Sequence, residues 1–407
     1  MHLKKHRVQH PLAFVTYMTL EMTGLTQVCL SSRGLAPCTF PLQYLWHRSP
    51  LCGRHPQSMK LDRAKLKMYL ERLDSFYRAD NLYHNAWHAA DVVQRVAVIM
   101  AAINLPMLSF ENQITYLAAI LGAAVHDADH PGRDNKFMIR NDSELAQRFN
   151  DQHVLENHSI NLCLEMMREE GTNFLEGSRL NSRKTWLKFK ARLINVVLAT
   201  DMANHFDILS KFKSTFMGSA VDATDEERMQ PNMELILQMV IKCADLGHCT
   251  MMRKTHLFWS KCLEEEFFLQ GDQEKATGTK PSELSPLTDR DQLGAMSPGN
   301  QIGFFNYIIL PMYNALAATF PGTAPLSRQA EENWMFWKAE LEKEAHRGTF
   351  GAQSVEAYEK SMLDATDEGS MMDGPTQQEI DVRASPLSRL MVPSRASGSG
   401  ERDRSSQ

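Results

Sequence analysis

Two apolar stretches, residues 92–104 and 114–125, constrain this chain more than any other feature. Both are rich in Ala, Val, Ile and Leu with few polar breaks, and both read as buried helices. Each is joined to ionisable residues. His88-Ala89-Ala90-Asp91 leads into the first, and His126-Asp127 closes the second, with Pro131-Gly132 stopping the helix just beyond. Asp245 is set among apolar neighbours in the same way, in Val240-Ile241-Lys242-Cys243-Ala244-Asp245-Leu246. A carboxylate in such surroundings needs a partner or carries a large desolvation cost, and a metal ion is the obvious partner. His84 and His88 are one helical turn apart, so both rings are expected on one helix face. Nitrogen and carboxylate donors at this density suit Zn²⁺ or a mixed two-metal site that makes hydroxide near neutral pH. With a spare histidine, that is the equipment for hydrolysing a phosphate ester.

The rest of the chain has the same character. Helical apolar spacing runs through residues 61–77, 186–209, 233–245, 256–270 and 301–320, the last expected to bend at Pro311. In 256–270 an acidic face, Glu264-Glu265-Glu266, opposes Trp259, Leu263 and Phe267. No paired alternating strands, glycine-rich phosphate loop or internal repeat is present, so the fold class is all-α. Residues 58–350 form the expected domain. Residues 1–57 form a basic extension, and the polar composition of 351–407 predicts a disordered tail.

A net charge of −5 without a Lys/Arg block gives no pull toward nucleic acid. The seven cysteines, at 29, 38, 52, 163, 243, 249 and 262, show no paired spacing, which fits reduced thiols in a cytoplasmic setting. No uninterrupted apolar run reaches the ~18–20 residues of a membrane span; Glu21 and several threonines break the nearest candidate, 12–30. Residues 1–57 carry six Lys/Arg against Glu21 alone, which reads either as a targeting segment or as a poorly ordered extension.

Seven ordered blocks carry a family resemblance. They are Tyr83-His84-Asn85 with His88, Ala89 and Asp91; His126 to Gly132 with Asn135; Leu155-Glu156-Asn157-His158; Leu198 to Met202; Lys242 to Asp245; Glu265 to Asp272; and Gln301-Ile302-Gly303-Phe304. On these blocks, over roughly residues 60–345, the chain resembles the class I cyclic nucleotide phosphodiesterases, a branch of the HD-domain metal hydrolases. The resemblance implies a compact multi-helix domain around a two-metal pocket, hydrolysing cAMP, cGMP or both to 5′-monophosphates. It implies that His88, His126, Asp127 and Asp245 hold a Zn²⁺ ion, and that Asp127 and Asp245 also offer oxygens to Mg²⁺ or Mn²⁺. His130, Glu156 and Thr200 would orient waters around the second ion, and a bridging hydroxide would attack phosphorus. His84 would be the general acid on the departing 3′ oxygen. Gln301 would pair with the purine edge, Phe304 would stack on the ring, and Leu263 and Phe267 would form the facing wall. Asn135 and His248 would complete the substrate contacts.

The chain departs from the pattern after Asp245. The family's Asp-hydrophobic-Ser-Asn is here Asp245-Leu246-Gly247-His248, and His158-Ser159 replaces the commoner His-His. The base preference therefore stays open. Two other readings stand beside the leading one: a broader HD-type phosphohydrolase, and a catalytically weak nucleotide-binding protein.

Overall fold

A computed structural model describes residues 9–23, 25, 59–105, 109–216, 226–280 and 283–346. All of these belong to the unit Met1–Thr366, and the expected 351–407 tail lies outside them. Every described element is a helix: α1 Pro11–Met22, α2 Arg63–Phe76, α3 Ala86–Ile103, α4 Phe110–Val125, α5 Asn135–Arg140, α6 Glu144–Arg148, α7 Val154–Met166, α8 Arg183–Leu198, α9 His205–Phe216, α10 Glu226–Met229, α11 Met233–Asp245, α12 Arg253–Ala276, α13 Pro298–Thr319 and α14 Ala324–His346. No strand occurs among the described residues, so the all-α expectation holds.

α4 is the centre of the body. From Asn112 to Val125 each of its residues is buried, as its unbroken apolar composition requires. α8 crosses it so closely that a Cβ at Gly122 would meet Val196 Cγ1 at 2.6 Å. α3 packs between α4, α1 and α11, burying Val92, Val93, Val96, Ile99 and Met100. These contacts bring the start of α3 and the ends of α4 and α11 to one place.

Several elements differ from the sequence expectation. The stripe predicted from 186 to 209 is two helices, α8 and α9. Ala199 caps the first, and Asp201 starts a 3₁₀ turn by accepting from the Ala203 amide at 2.8 Å. The apolar period survives the break because both helices face one core. In α13 the missing N–H of Pro311 is accommodated by a π-helical turn over Phe305–Ile309. α14 escaped prediction because its buried stripe is Ser327, Ala330, Asn333 and Trp337, helical in spacing but mostly small or polar.

Part of the basic segment 1–57 belongs to the folded body. α1 buries Leu12, Ala13, Thr16, Thr19 and Leu20. Asp74 of α2 accepts from the Leu12 and Ala13 amides at 2.8 and 3.1 Å, satisfying two free donors at the start of α1. The expectation of no span-length apolar segment also needs correction. α3 and α13 are long and apolar enough to cross a membrane by length and composition, and about half of each is buried against other helices. Their apolar surface is the core that surrounds the site.

Candidate active site

The four predicted ligands meet. His88 sits in the first turn of α3, whose N-cap Asn85 accepts from the Trp87 and His88 amides at 2.9 and 3.4 Å. His126 closes α4, Asp127 follows it, and Asp245 is the last residue of α11. Their donor atoms lie within 4.8 Å of one another. His88 Nε2 is 3.1 Å from Asp245 Oδ1 and 3.6 Å from Asp127 Oδ2. His126 Nε2 is 3.0 Å from Asp127 Oδ2 and 3.4 Å from Asp245 Oδ1.

The chemistry of this set fits a divalent cation. His126 Nδ1–H donates to the Ala123 carbonyl at 2.9 Å, which turns the Nε2 lone pair toward the two carboxylates. Nε2 is buried and, although close to Asp127, is not aligned for a hydrogen bond. Asp245 adds its charge where the negative end of the α11 dipole already lies. Without a metal, a proton must take the central place. Burial alone would depress the His126 pKa, but Asp127 and Asp245 hold it well above the usual histidine value. Against their own burial, both carboxyls are held well below the carboxylate range, chiefly by His126.

His84 is not on the helix. With Asn85 as N-cap, α3 begins at Ala86, so the shared-face expectation fails. The rings still approach, with His84 and His88 centroids 5.9 Å apart. What places His84 is Glu266 of α12, a residue the sequence reading assigned to a polar face. Glu266 is only 4% exposed. One carboxylate oxygen accepts from the Tyr83 and His84 amides at 2.8 and 3.2 Å, and the other bonds His84 Nδ1. Burial pulls the His84 pKa down, yet the Glu266 charge prevails and raises it to about 9. The Glu266 carboxyl, despite burial, falls to about 2. The signal for Glu266 was its place seven residues after buried Trp259 and four before buried Gln270.

The predicted outer residues fall into two groups. His130 stacks on His84 at 4.0 Å, and its Nδ1 accepts from the Gly132 amide at 3.1 Å. Burial and the His84 charge push its pKa to about 3, so it is neutral. Glu156 instead joins His153 and Asp201. Asn135, expected at the substrate, donates to Glu156 at 3.0 Å and accepts from the Leu155 amide at 3.0 Å. Burial and the neighbouring Asp201 raise the Glu156 pKa to about 7. The Thr200 hydroxyl donates to the Val197 carbonyl at 2.7 Å. Asp201, not among the candidates, accepts from His153 Nδ1 at 2.7 Å, tying down a left-handed backbone at φ +43°.

Gln301 and Phe304 lie one turn apart on α13, and half-buried Leu263 and Phe267 one turn apart on α12. Gln301 Nε2 donates to the Ala295 carbonyl at 3.0 Å, while its Oε1 is buried without a hydrogen-bond partner. His248 is buried against His256, with the rings stacked at 5.3 Å. Gly247 leaves room for Arg95: a Cβ at 247 would collide with the Arg95 side chain, which bonds Asp91 at 2.9 Å and Thr250 at 3.2 Å.

A sequence model of the 3′,5′-cyclic nucleotide phosphodiesterase family matches residues 83–330. The chain belongs to this family. Among its curated relatives, the probable 3′,5′-cyclic-AMP phosphodiesterase pde-4 of Caenorhabditis elegans is 33% identical over 292 residues, 71% of this chain and 42% of the relative. A 3′,5′-cyclic-AMP phosphodiesterase of Drosophila melanogaster, isoform F, is 33% identical over 67% of this chain and 40% of its own length. The chain thus spans less than half the length of the curated relatives it matches. The phosphodiesterase domain of the RhoPDE fusion protein from the choanoflagellate Salpingoeca rosetta has the same fold: TM-score 0.64, 24% identity, covering 87% of this chain and 94% of that one. A second structure of the Salpingoeca rosetta rhodopsin phosphodiesterase domain gives a TM-score of 0.60 at 27% identity, covering 75% and 85%. In this member of the family the histidine–carboxylate set is the candidate metal site.

Proposed function

We propose that this phosphodiesterase hydrolyses 3′,5′-cyclic nucleotides to 5′-monophosphates, with cAMP the preferred substrate. The observation that carries the reaction is His84, held protonated by Glu266 one ring contact from ligand His88. His88, His126, Asp127 and Asp245 would hold a tight Zn²⁺, and Asp127 and Asp245 would share oxygens with Mg²⁺ or Mn²⁺. Such ions, when bound, supply Lewis-acid charge and a nucleophilic oxygen at neutral pH. The chain's own residues do the rest. Glu266 occupies His84 Nδ1, so Nε2 carries the proton given to the departing 3′ oxygen. Neutral His130 stacks on the His84 ring and limits its rotation.

The cAMP preference rests on Gln301 and on the names of the relatives. Only its NH₂ can satisfy the Ala295 carbonyl, so the amide is oriented and Oε1 is the atom left for a ligand. A buried acceptor suits the 6-amino group of adenine and opposes the 6-oxo group of guanine. A cytoplasmic setting belongs to the same proposal; among the described residues Cys163, Cys243 and Cys249 are buried and form no disulfide, and cell fractionation tests it. The activity itself is tested by incubating purified protein and Mg²⁺ or Mn²⁺ with each cyclic nucleotide and separating the products. Release of the 5′-monophosphate is expected; no monophosphate from either nucleotide would end the proposal.

A further inference from the structure

The turn after Asp245 is held by the part of α14 that lies beyond the family match, which ends at residue 330. Asn333 of α14 donates to the Cys249 and Met251 carbonyls, both at 2.8 Å. One turn further, Trp337 Nε1 is 2.9 Å from His256 Nε2. An indole N–H can only donate, so His256 Nε2 must accept, and the proton of neutral His256 is on Nδ1. His256 Nδ1 lies 3.2 Å from His248 Nδ1, closer than the 3.4 Å to the Ser260 hydroxyl. The donor-acceptor sequence then runs one way, and the remaining proton of His248 falls on Nε2. The same logic removes a metal site here. His248, Cys249 and His256 cluster within 4.8 Å, but a metal on His256 Nδ1 would need a proton on Nε2, which faces the indole donor.

His248 stands where this matters. Its ring meets the Tyr83 ring at 6.0 Å, and Tyr83 packs on His88 at 4.5 Å. Behind it, His256 meets Phe305, next to Phe304 on the Gln301 helix, at 5.6 Å. His248 therefore sits behind Tyr83, between the metal cluster and the Gln301 helix, and on the cyclic nucleotide reading it forms part of the wall between them. We propose that Trp337 and His256 are positioning residues that fix His248 as a hydrogen-bond donor at Nε2 in this wall. Burial keeps both imidazoles neutral, His256 at about 4 and His248 also well below the usual value. A fixed donor there favours a ligand acceptor, such as a purine ring nitrogen, and disfavours an amino group.

The tautomers can be read directly. In ¹⁵N-histidine-labelled full-length protein, long-range ¹H–¹⁵N spectra should show His256 protonated at Nδ1 and His248 at Nε2. An Nε2-protonated or doubly protonated His256 would overturn the proposal, and this arm does not depend on any activity. The second arm rests on the cyclic nucleotide reading. Trp337→Phe keeps an aromatic ring but removes the indole donor and some volume, so melting temperature is read beside the kinetics; KM for cAMP should rise about two- to tenfold, the worth of one hydrogen bond, with kcat within about twofold. Trp337→Phe with unchanged KM, or with kcat and melting temperature falling together instead, would reduce Trp337 to a packing residue and end the proposal.

Discussion

The two ends of the pocket are built differently. At the metal end, His88 lies in the first turn of its helix, His126 caps the end of its helix and Asp245 is the last residue of its own, so each is placed by its own segment and by the apolar core behind it. At the base end, placement also depends on side chains from other segments. His248 is set by His256 and Trp337, Gly247 by Arg95, and Gln301 by the Ala295 carbonyl. Charge at the end of a buried helix has few permitted partners, so the metal end tolerates little variation. At the base end Gly247 and His248 are instead fitted to Arg95 and His256, side chains of other elements. His84 belongs to neither pattern: it is adjacent in sequence to the metal end but is positioned by Glu266, 182 residues away.

That contrast predicts a graded set of losses. Asp127→Asn or Asp245→Asn should strip the metal and abolish turnover, a loss of about 10³-fold or more given several kcal/mol of Lewis-acid stabilisation. Metal analysis of the purified variants checks this, and full occupancy would undo the ligand assignment. His84→Ala should keep the metal and lower kcat by about 10²–10⁴-fold; normal turnover would remove the general acid. Glu266→Gln is the sharper test of how His84 is held. An acid works only while protonated, and a pKa near 9 keeps His84 protonated through neutral pH. Without the Glu266 charge that pKa falls, so the alkaline limb of the pH–kcat profile should move to lower pH, with kcat down about 10- to 100-fold. An unmoved limb would place the proton elsewhere. The smallest effect belongs to the base end: Gln301→Ala should raise KM for cAMP about tenfold, from one or two lost hydrogen bonds, and leave kcat nearly unchanged.

The same division explains what could be read from the chain. The helices α2, α3, α4 and α11 carry strong apolar periods, and the ligand set follows from where ionisable residues interrupt them. Thr200, Glu156 and His130 came through family resemblance, and their contacts with Val197, Asn135 and His84 were not legible. α14 was missed because its buried face is Ser327, Ala330, Asn333 and Trp337, whose partners lie on the 246–252 turn and α12. Glu266 was taken for solvent-facing because adjacent carboxylates suggest a polar face, whereas Glu266 turns inward to bond His84. α1 was hidden by its basic surroundings, and the device that anchors it, Asp74, is 62 residues from Leu12. Local periodicity records which face is buried, but not which distant polar group waits there.

The central claim is a cyclic nucleotide phosphodiesterase whose metal end performs the chemistry and whose oriented Gln301 selects adenine. Side-by-side kcat/KM values for cAMP and cGMP, on one preparation with saturating divalent ion, test it most directly. The account predicts 5′-monophosphate from both or from cAMP alone, with cAMP favoured about tenfold or more, the worth of a matched against an opposed hydrogen bond. Equal values, or a preference for cGMP, would contradict the fixed orientation of Gln301.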